Sequence, residues 1–183
     1  MHFNDHWKLE GKHAFLSPSQ YHWINYTEEK LLDRWNSHEA VERGTRLHAL
    51  AKECILLKIP LKGTRSTIAM YVNDALGFRM TPEVPLYFSD YCFGTADSIS
   101  FDKNRLRIHD LKTGISQASF LQLEIYAALF CLEYAVDPTS IDICLRIYQN
   151  NEYVEEFPKG EMIQEIADKI VYFCDILEHL EHE

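Results

Sequence analysis

Residues 94–114, GTADSISFDKNRLRIHDLKTG, constrain this chain more than any other stretch. They read as a β-hairpin. On the first arm Thr95, Asp97, Ile99 and Phe101 alternate with Ala96, Ser98 and Ser100. On the second, Leu106, Ile108, Asp110 and Lys112 alternate with Arg105, Arg107, His109 and Leu111. Successive side chains of a strand point to opposite faces. Asp97 therefore shares a face with Ile99 and Phe101, and Asp110 and Lys112 share one with Leu106 and Ile108. Both carboxylates fall on the apolar, core-facing side. A turn centred on Lys103-Asn104 sets Asp97 opposite Asp110, with Cβ atoms roughly 5 Å apart. Two like charges there repel, and one is expected to titrate upward. A divalent cation relieves the repulsion, because hard cations take carboxylate oxygens as ligands. Lys112 returns to the same face and can reach that point.

The surrounding chain predicts a sheet flanked by helices. A hydroxyl and a proline at Ser17-Pro18-Ser19 open a short helix over 19–26. Thr27 caps a second helix to about residue 35, with Glu28 and Glu29 in its first turn. Helical spacing is strongest over 39–57, through Leu47, Leu50, Ala51, Cys54 and Leu57, and Pro60 stops it. A further helix is expected over 66–78, with Gly77 near its end. Residues 84–93 read as a strand, rich in β-branched and aromatic residues, so three consecutive antiparallel strands are expected. Residues 118–134 are apolar nearly all round and predict a helix packed on the sheet. Strands at 141–148 and 153–157, turning at Gln149-Asn150-Asn151, and a helix over 161–180 complete the order. No repeat or low-complexity linker interrupts it. The 183 residues suffice for one domain: a helical arm over 1–38, a core over 39–157 and a C-terminal helix over 158–183.

Composition excludes several classes. Apolar residues make up 46% and aromatics 13%, which marks a globular chain. No apolar run reaches the roughly 20 residues of a membrane span. Residues 1–13 lack the apolar core of a signal peptide, so a cytoplasmic location is expected and no membrane partner. Five scattered cysteines without a C-x-x-C predict buried free thiols. The net charge of −10 argues against bulk electrostatic attachment to nucleic acid, yet Arg43, Arg46, Lys52, Lys58, Lys62 and Arg65 cluster ahead of Lys103, Arg105 and Arg107. His2 with His6, and His179 with His182, sit at the chain ends without a third ligand, which disfavours zinc. There is no P-loop, dinucleotide fingerprint or nucleophile elbow.

Four short motifs fall in order around the hairpin. They are Gly44-Thr45-Arg46-Leu47-His48, Gly94-Thr95-Ala96-Asp97, Asp110-Leu111-Lys112 and Gln122-Leu123-Glu124-Ile125-Tyr126. Gln122 and Tyr126, four apart, project from one helical face. Each motif alone has an ordinary explanation: a strand-end carboxylate for Asp97, an edge ion pair for Asp110 and Lys112, a satisfied core histidine for His48, and helix–sheet packing for Gln122 and Tyr126. Together, across residues 40–130, they resemble the PD-(D/E)XK nuclease superfamily and its RecB-like exonuclease branch.

That resemblance implies a restriction-endonuclease-like αβββαβ core with a central mixed sheet, and a metal-dependent exonuclease acting on DNA. Asp97, Asp110, the carbonyl of Leu111 and the imidazole of His48 would hold Mg²⁺ or Mn²⁺. Lys112 would orient or deprotonate the attacking water and steady the phosphate. Gln122 and Tyr126 would support the site or contact the strand. The iron–sulfur cluster of some relatives is not expected, because the cysteine spacing is wrong. Any helicase or recombination motor would be a separate protein, and a homo-oligomer would supply processivity. Glu53 and Glu83 are further candidate carboxylates, and Glu124 is expected at the surface or beside Lys112. Two other readings stand beside this one: a catalytically inactive nuclease-fold module that binds DNA or a protein partner, and a nuclease directed at RNA.

Overall fold

The computed structural model describes residues 8, 14–62, 65–114 and 119–181. Of the helical arm expected over 1–38, residues 1–7 and 9–13 lie outside them, as do His2, His6 and His182. The chain divides into two compact units, 1–43 and 44–183. In the first, a 3-10 helix (Pro18–Asn25) precedes the start of a long helix, and Phe15 meets the Trp35 ring edge-on at 5.1 Å.

That long helix, α1 (Glu28–Leu56), is continuous. Thr27 Oγ1 accepts the Lys30 amide at its start. Two helices were expected here. Asn36, Ser37 and His38 weaken the apolar period but include no glycine or proline, and Ser37 returns its hydroxyl to the Asp33 carbonyl at 2.9 Å. The buried face of α1 is also rotated from the expected one. It runs through Gly44, Ala51, Cys54 and Ile55, while Leu50 and Leu57 are exposed. α2 (Thr67–Gly77) follows, capped by the Ser66 hydroxyl.

Five strands form one mixed sheet in the order β1-β2-β3-β4-β5. β1 (Thr81–Ser89), β2 (Cys92–Asp102) and β3 (Arg105–Leu111) are antiparallel neighbours. The stretch expected as a single strand over 84–93 contains a corner. Asp90 and Tyr91 turn it, with the Ser89 hydroxyl accepting the Tyr91 amide and Asp90 accepting the Tyr87 hydroxyl. The β2–β3 turn lies at Lys103-Asn104, both at positive φ, as a two-residue hairpin of this hand requires. α3 (Leu121–Glu133) then crosses over to β4 (Asp142–Gln149), which runs parallel to β3. Asn150 and Asn151, again at positive φ, turn into β5 (Glu152–Glu156), and α4 (Gly160–Glu181) ends the described chain.

Alternation along the strands divides the core. Leu106 and Ile108 of β3, with Leu145 and Ile147 of β4, face α3 and α4. Leu111 and Tyr148 face α1 and α2. β4 is buried on both faces from Ile143 to Tyr148, as a strand inside the parallel part of a sheet should be. The architecture is thus mixed α/β, a five-stranded mixed sheet flanked by helices. Among the described residues no helix is long and apolar enough to cross a membrane. All five cysteines are free, and four are buried, Cys92 being half-buried.

Candidate functional site

The expected hairpin register holds. Asp102 pairs with Arg105 and Ser98 with His109, so one further step sets Asp97 beside Asp110. Asp110 is linked to α3 through Lys112 and Gln122, and Asp97 meets His48 of α1. Phe101, expected in the core, is 43% exposed near the hairpin tip, with its ring centroid 5.2 Å from that of Phe130 on α3. In place of the next ladder bond, the Leu111 amide donates to Asp97 Oδ2 at 2.8 Å. The end of β3 is thereby tied to the Asp97 side chain, with Leu111 itself packed toward α1 and α2.

Asp110 is 4% exposed. Burial pushes its carboxyl above the usual carboxylate range, and Asp97 pushes the same way, while the Lys112 ammonium opposes both. Lys112 Nζ lies 3.1 Å from Asp110 Oδ1 and 3.0 Å from Oδ2, but only the contact to Oδ1 has hydrogen-bond geometry. Asp110 Oδ2 is buried and accepts no hydrogen bond. Lys112 also donates to Gln122 Oε1 at 2.8 Å. Gln122 Nε2 reaches Tyr126 Oη at 3.5 Å, at the outer limit for such a bond.

The remaining motif residues meet this cluster. His48 Nδ1 lies 3.5 Å from Asp97 Oδ2. The Asp97 carboxylate beside it raises the His48 pKa. Burial opposes it, and the charges of Asp97, Glu83 and Asp110 add to the rise. Gly94 lies against the Tyr126 ring, where a Cβ would stand 3.0 Å from Cε1. Gly44 lies against Thr113, where a Cβ would stand 2.7 Å from Oγ1. The two motif glycines therefore let α1 and α3 close on the ends of β2 and β3. His48, Asp97, Asp110, Leu111, Lys112, Gln122 and Tyr126 are brought together by contacts between neighbours.

Glu83 joins them. His48, Glu83 and Asp97 each present a ligand atom, all within 4.8 Å of one another. Glu53 is exposed and lies outside that group. Glu124, expected at the surface, is buried, and burial with nearby Glu156 raises its carboxyl pKa.

Sequence reasoning missed a second polar network on the opposite face of the sheet. Arg146 Nη1 donates to Asp74 Oδ2 at 2.7 Å, and its Nη2 and Nε reach Glu155 Oε1 at 2.6 and 3.0 Å. Tyr148 Oη donates to the same Asp74 oxygen at 2.7 Å and lies 3.2 Å from His109 Nδ1. With the phenol proton given to Asp74, His109 donates from Nδ1, which leaves its buried Nε2 without a partner. Burial, reinforced by Arg146 and Arg107, lowers the His109 pKa to about 3. The only sequence signal was that His109 and Arg107 alternate with the apolar Leu106 and Ile108 on β3, and Arg146 with Leu145 and Ile147 on β4. The networks share one residue, since the Tyr148 carbonyl accepts the Lys112 amide at 2.9 Å.

No protein-family model matches this chain, and no curated protein or solved structure matches it either.

Proposed function

We propose that the chain is a metal-dependent deoxyribonuclease of the PD-(D/E)XK type, close to the RecB-like branch, with a restriction-endonuclease-like core and exonuclease action on DNA. One observation carries this: four motifs separated by up to 82 positions, from Gly44 to Tyr126, supply contacting side chains around a single point of the sheet. Chance packing of an ion pair, a core histidine and a helix–sheet contact gives no reason for the four to coincide.

The residues fit a hard divalent cation. Asp110 offers a buried oxygen with no hydrogen bond, and the donor set is carboxylate oxygen with one imidazole nitrogen. Asp97, Asp110, His48 and the Leu111 carbonyl would hold it. Bound there, Mg²⁺ or Mn²⁺ supplies charge screening for the phosphate and lowers the pKa of water. The side chains do the rest. Lys112, held by Asp110 and Gln122, keeps an ammonium at the site and steadies charge that develops on a phosphodiester. Gln122 fixes its position, and Tyr126, seated on Gly94, closes the far side. A cytoplasmic location accords with five unpaired thiols.

The test uses purified full chain with end-labelled linear, circular and single-stranded DNA in Mg²⁺ or Mn²⁺. The expected result is shortening of linear DNA, arrest by EDTA, and a loss of at least roughly 100-fold for Asp110→Ala and Lys112→Ala with melting curves retained. Gel retardation without cleavage would point to a binding module instead. An Asp110→Ala preparation that cuts as fast as the parent overturns the proposal.

A further inference from the structure

Three carboxylates stand in line across three adjacent strands. β1 pairs Pro82 with Ser98 and Val84 with Ala96, which sets Glu83 at the level of Asp97. β2 carries Asp97 on to Asp110 by the register of Ser98 with His109. Like charges at directly opposed positions destabilise a sheet. The compensating charge is too small for three. Lys112 is engaged by Asp110 and Gln122, and His48 is a cation only when protonated.

Two independent observations point into the same place. His48, Glu83 and Asp97 bring ligand atoms within 4.8 Å of one another, close enough for one ion to touch all three. Beside them the buried Asp110 Oδ2 accepts no hydrogen bond, its nearest cation being Lys112 Nζ at 3.0 Å without hydrogen-bond geometry. Glu83 also has a left-handed backbone, φ 53°, between Pro82 and Val84, and its own ladder pair with Asp97 is missing. A side chain released from the regular pleat at that point is free to turn toward the histidine.

We propose that Glu83 is a direct ligand of the divalent cation, closing a His48–Glu83–Asp97 face that none of the four sequence motifs contains. The proposal rests on reading the site as a cation centre. It adds the first strand to that centre, so three consecutive strands and α1 all contribute. The mixed imidazole and carboxylate set accepts a first-row divalent ion, and Mn²⁺ is the probe of choice.

Mn²⁺ is titrated into the metal-free full chain and followed by calorimetry and by the loss of the free-ion paramagnetic signal. Glu83→Gln is expected to weaken Mn²⁺ binding at least tenfold. Glu83→Asp, which keeps the charge on a shorter arm, is expected to fall between it and the parent. Glu53→Gln, an exposed carboxylate outside the cluster, leaves the affinity unchanged. Circular dichroism of each variant checks the fold. If the parent binds Mn²⁺ and both Glu83 variants match it, Glu83 is not a ligand and this inference alone falls. If the parent binds no Mn²⁺, the cation centre itself falls with it.

Discussion

Lys112 has little freedom in this protein. Its amide is bound by Tyr148, and its ammonium by Asp110 and Gln122, so four torsions are fixed from both ends. The other informative residue is His109, fully buried on the far face. Its folded pKa, about 3, lies below the ordinary histidine value of 6.5. The unfolded chain therefore binds a proton across that window that the folded chain refuses. Stability from this group is complete above about pH 6.5 and is lost as pH falls toward 3, with a slope of at most about 1.4 kcal/mol per pH unit. Asp110, whose carboxyl is raised, contributes with the opposite sign in the acid range, so a difference between variants is needed. His109→Gln should flatten the pH dependence of urea midpoints between pH 6.5 and 4 relative to the parent. An unchanged slope would mean that His109 does not resist protonation. The site residues themselves were legible because strand parity and i, i+4 spacing are local. Tyr148 and Asp74 were not, because their roles depend on which strand or helix lies alongside, and Glu83 could be told from Glu53 only once β1 was seen to bring it level with Asp97.

At the scale of elements, three helices end on residues that pay for a left-handed backbone. Lys58, Arg79 and Ala135 have φ of 56°, 54° and 52°. Each lies two residues past the end of its helix, and the next amide reaches back five residues: Ile59 to Cys54, Met80 to Ala75 and Val136 to Cys131. Glycine is the usual occupant of that position. Gly77, expected near the end of α2, is its last residue, but the reversal comes two residues later at Arg79. Without glycine at these stops, sequence alone placed helix ends only within a few residues. The same limit hid the β1–β2 corner, where Ser89 and Asp90 lie between aromatic runs. Ala135→Gly is expected to stabilise the protein by about 0.5–1 kcal/mol, since the strain relieved exceeds the entropy glycine adds to the unfolded chain. Chemical denaturation reads this as a higher midpoint at constant slope, and a lower midpoint would contradict it. The twin hairpin turns at Lys103-Asn104 and Asn150-Asn151 were easier to place, because their flanking strands alternate cleanly.

For the whole molecule, the net charge of −10 hides an uneven distribution. Three of the acids stand at one level of the sheet, and the proposed cation would relieve their repulsion. Any ligand that binds only the folded chain raises stability in proportion to RT ln(1 + [L]/Kd). Mn²⁺ should thus raise the melting temperature of the parent, and EDTA should lower it. Glu83→Gln should reverse in rank with conditions. In EDTA it removes one of three mutually repelling carboxylates and is expected to melt about 2–4 °C above the parent. In saturating Mn²⁺ the parent should melt higher. Parallel melting curves without that crossing would show that the three charges do not meet.

Tyr148 works as a tether through the sheet. Its phenol serves Asp74 and His109 behind the strands, while its carbonyl holds the Lys112 peptide just past the end of β3. No side chain has to pass through the backbone for the two faces to communicate. A substitution that swings the ring, such as one that empties the Asp74 position, would tilt the lysine's own peptide and detune the front from behind.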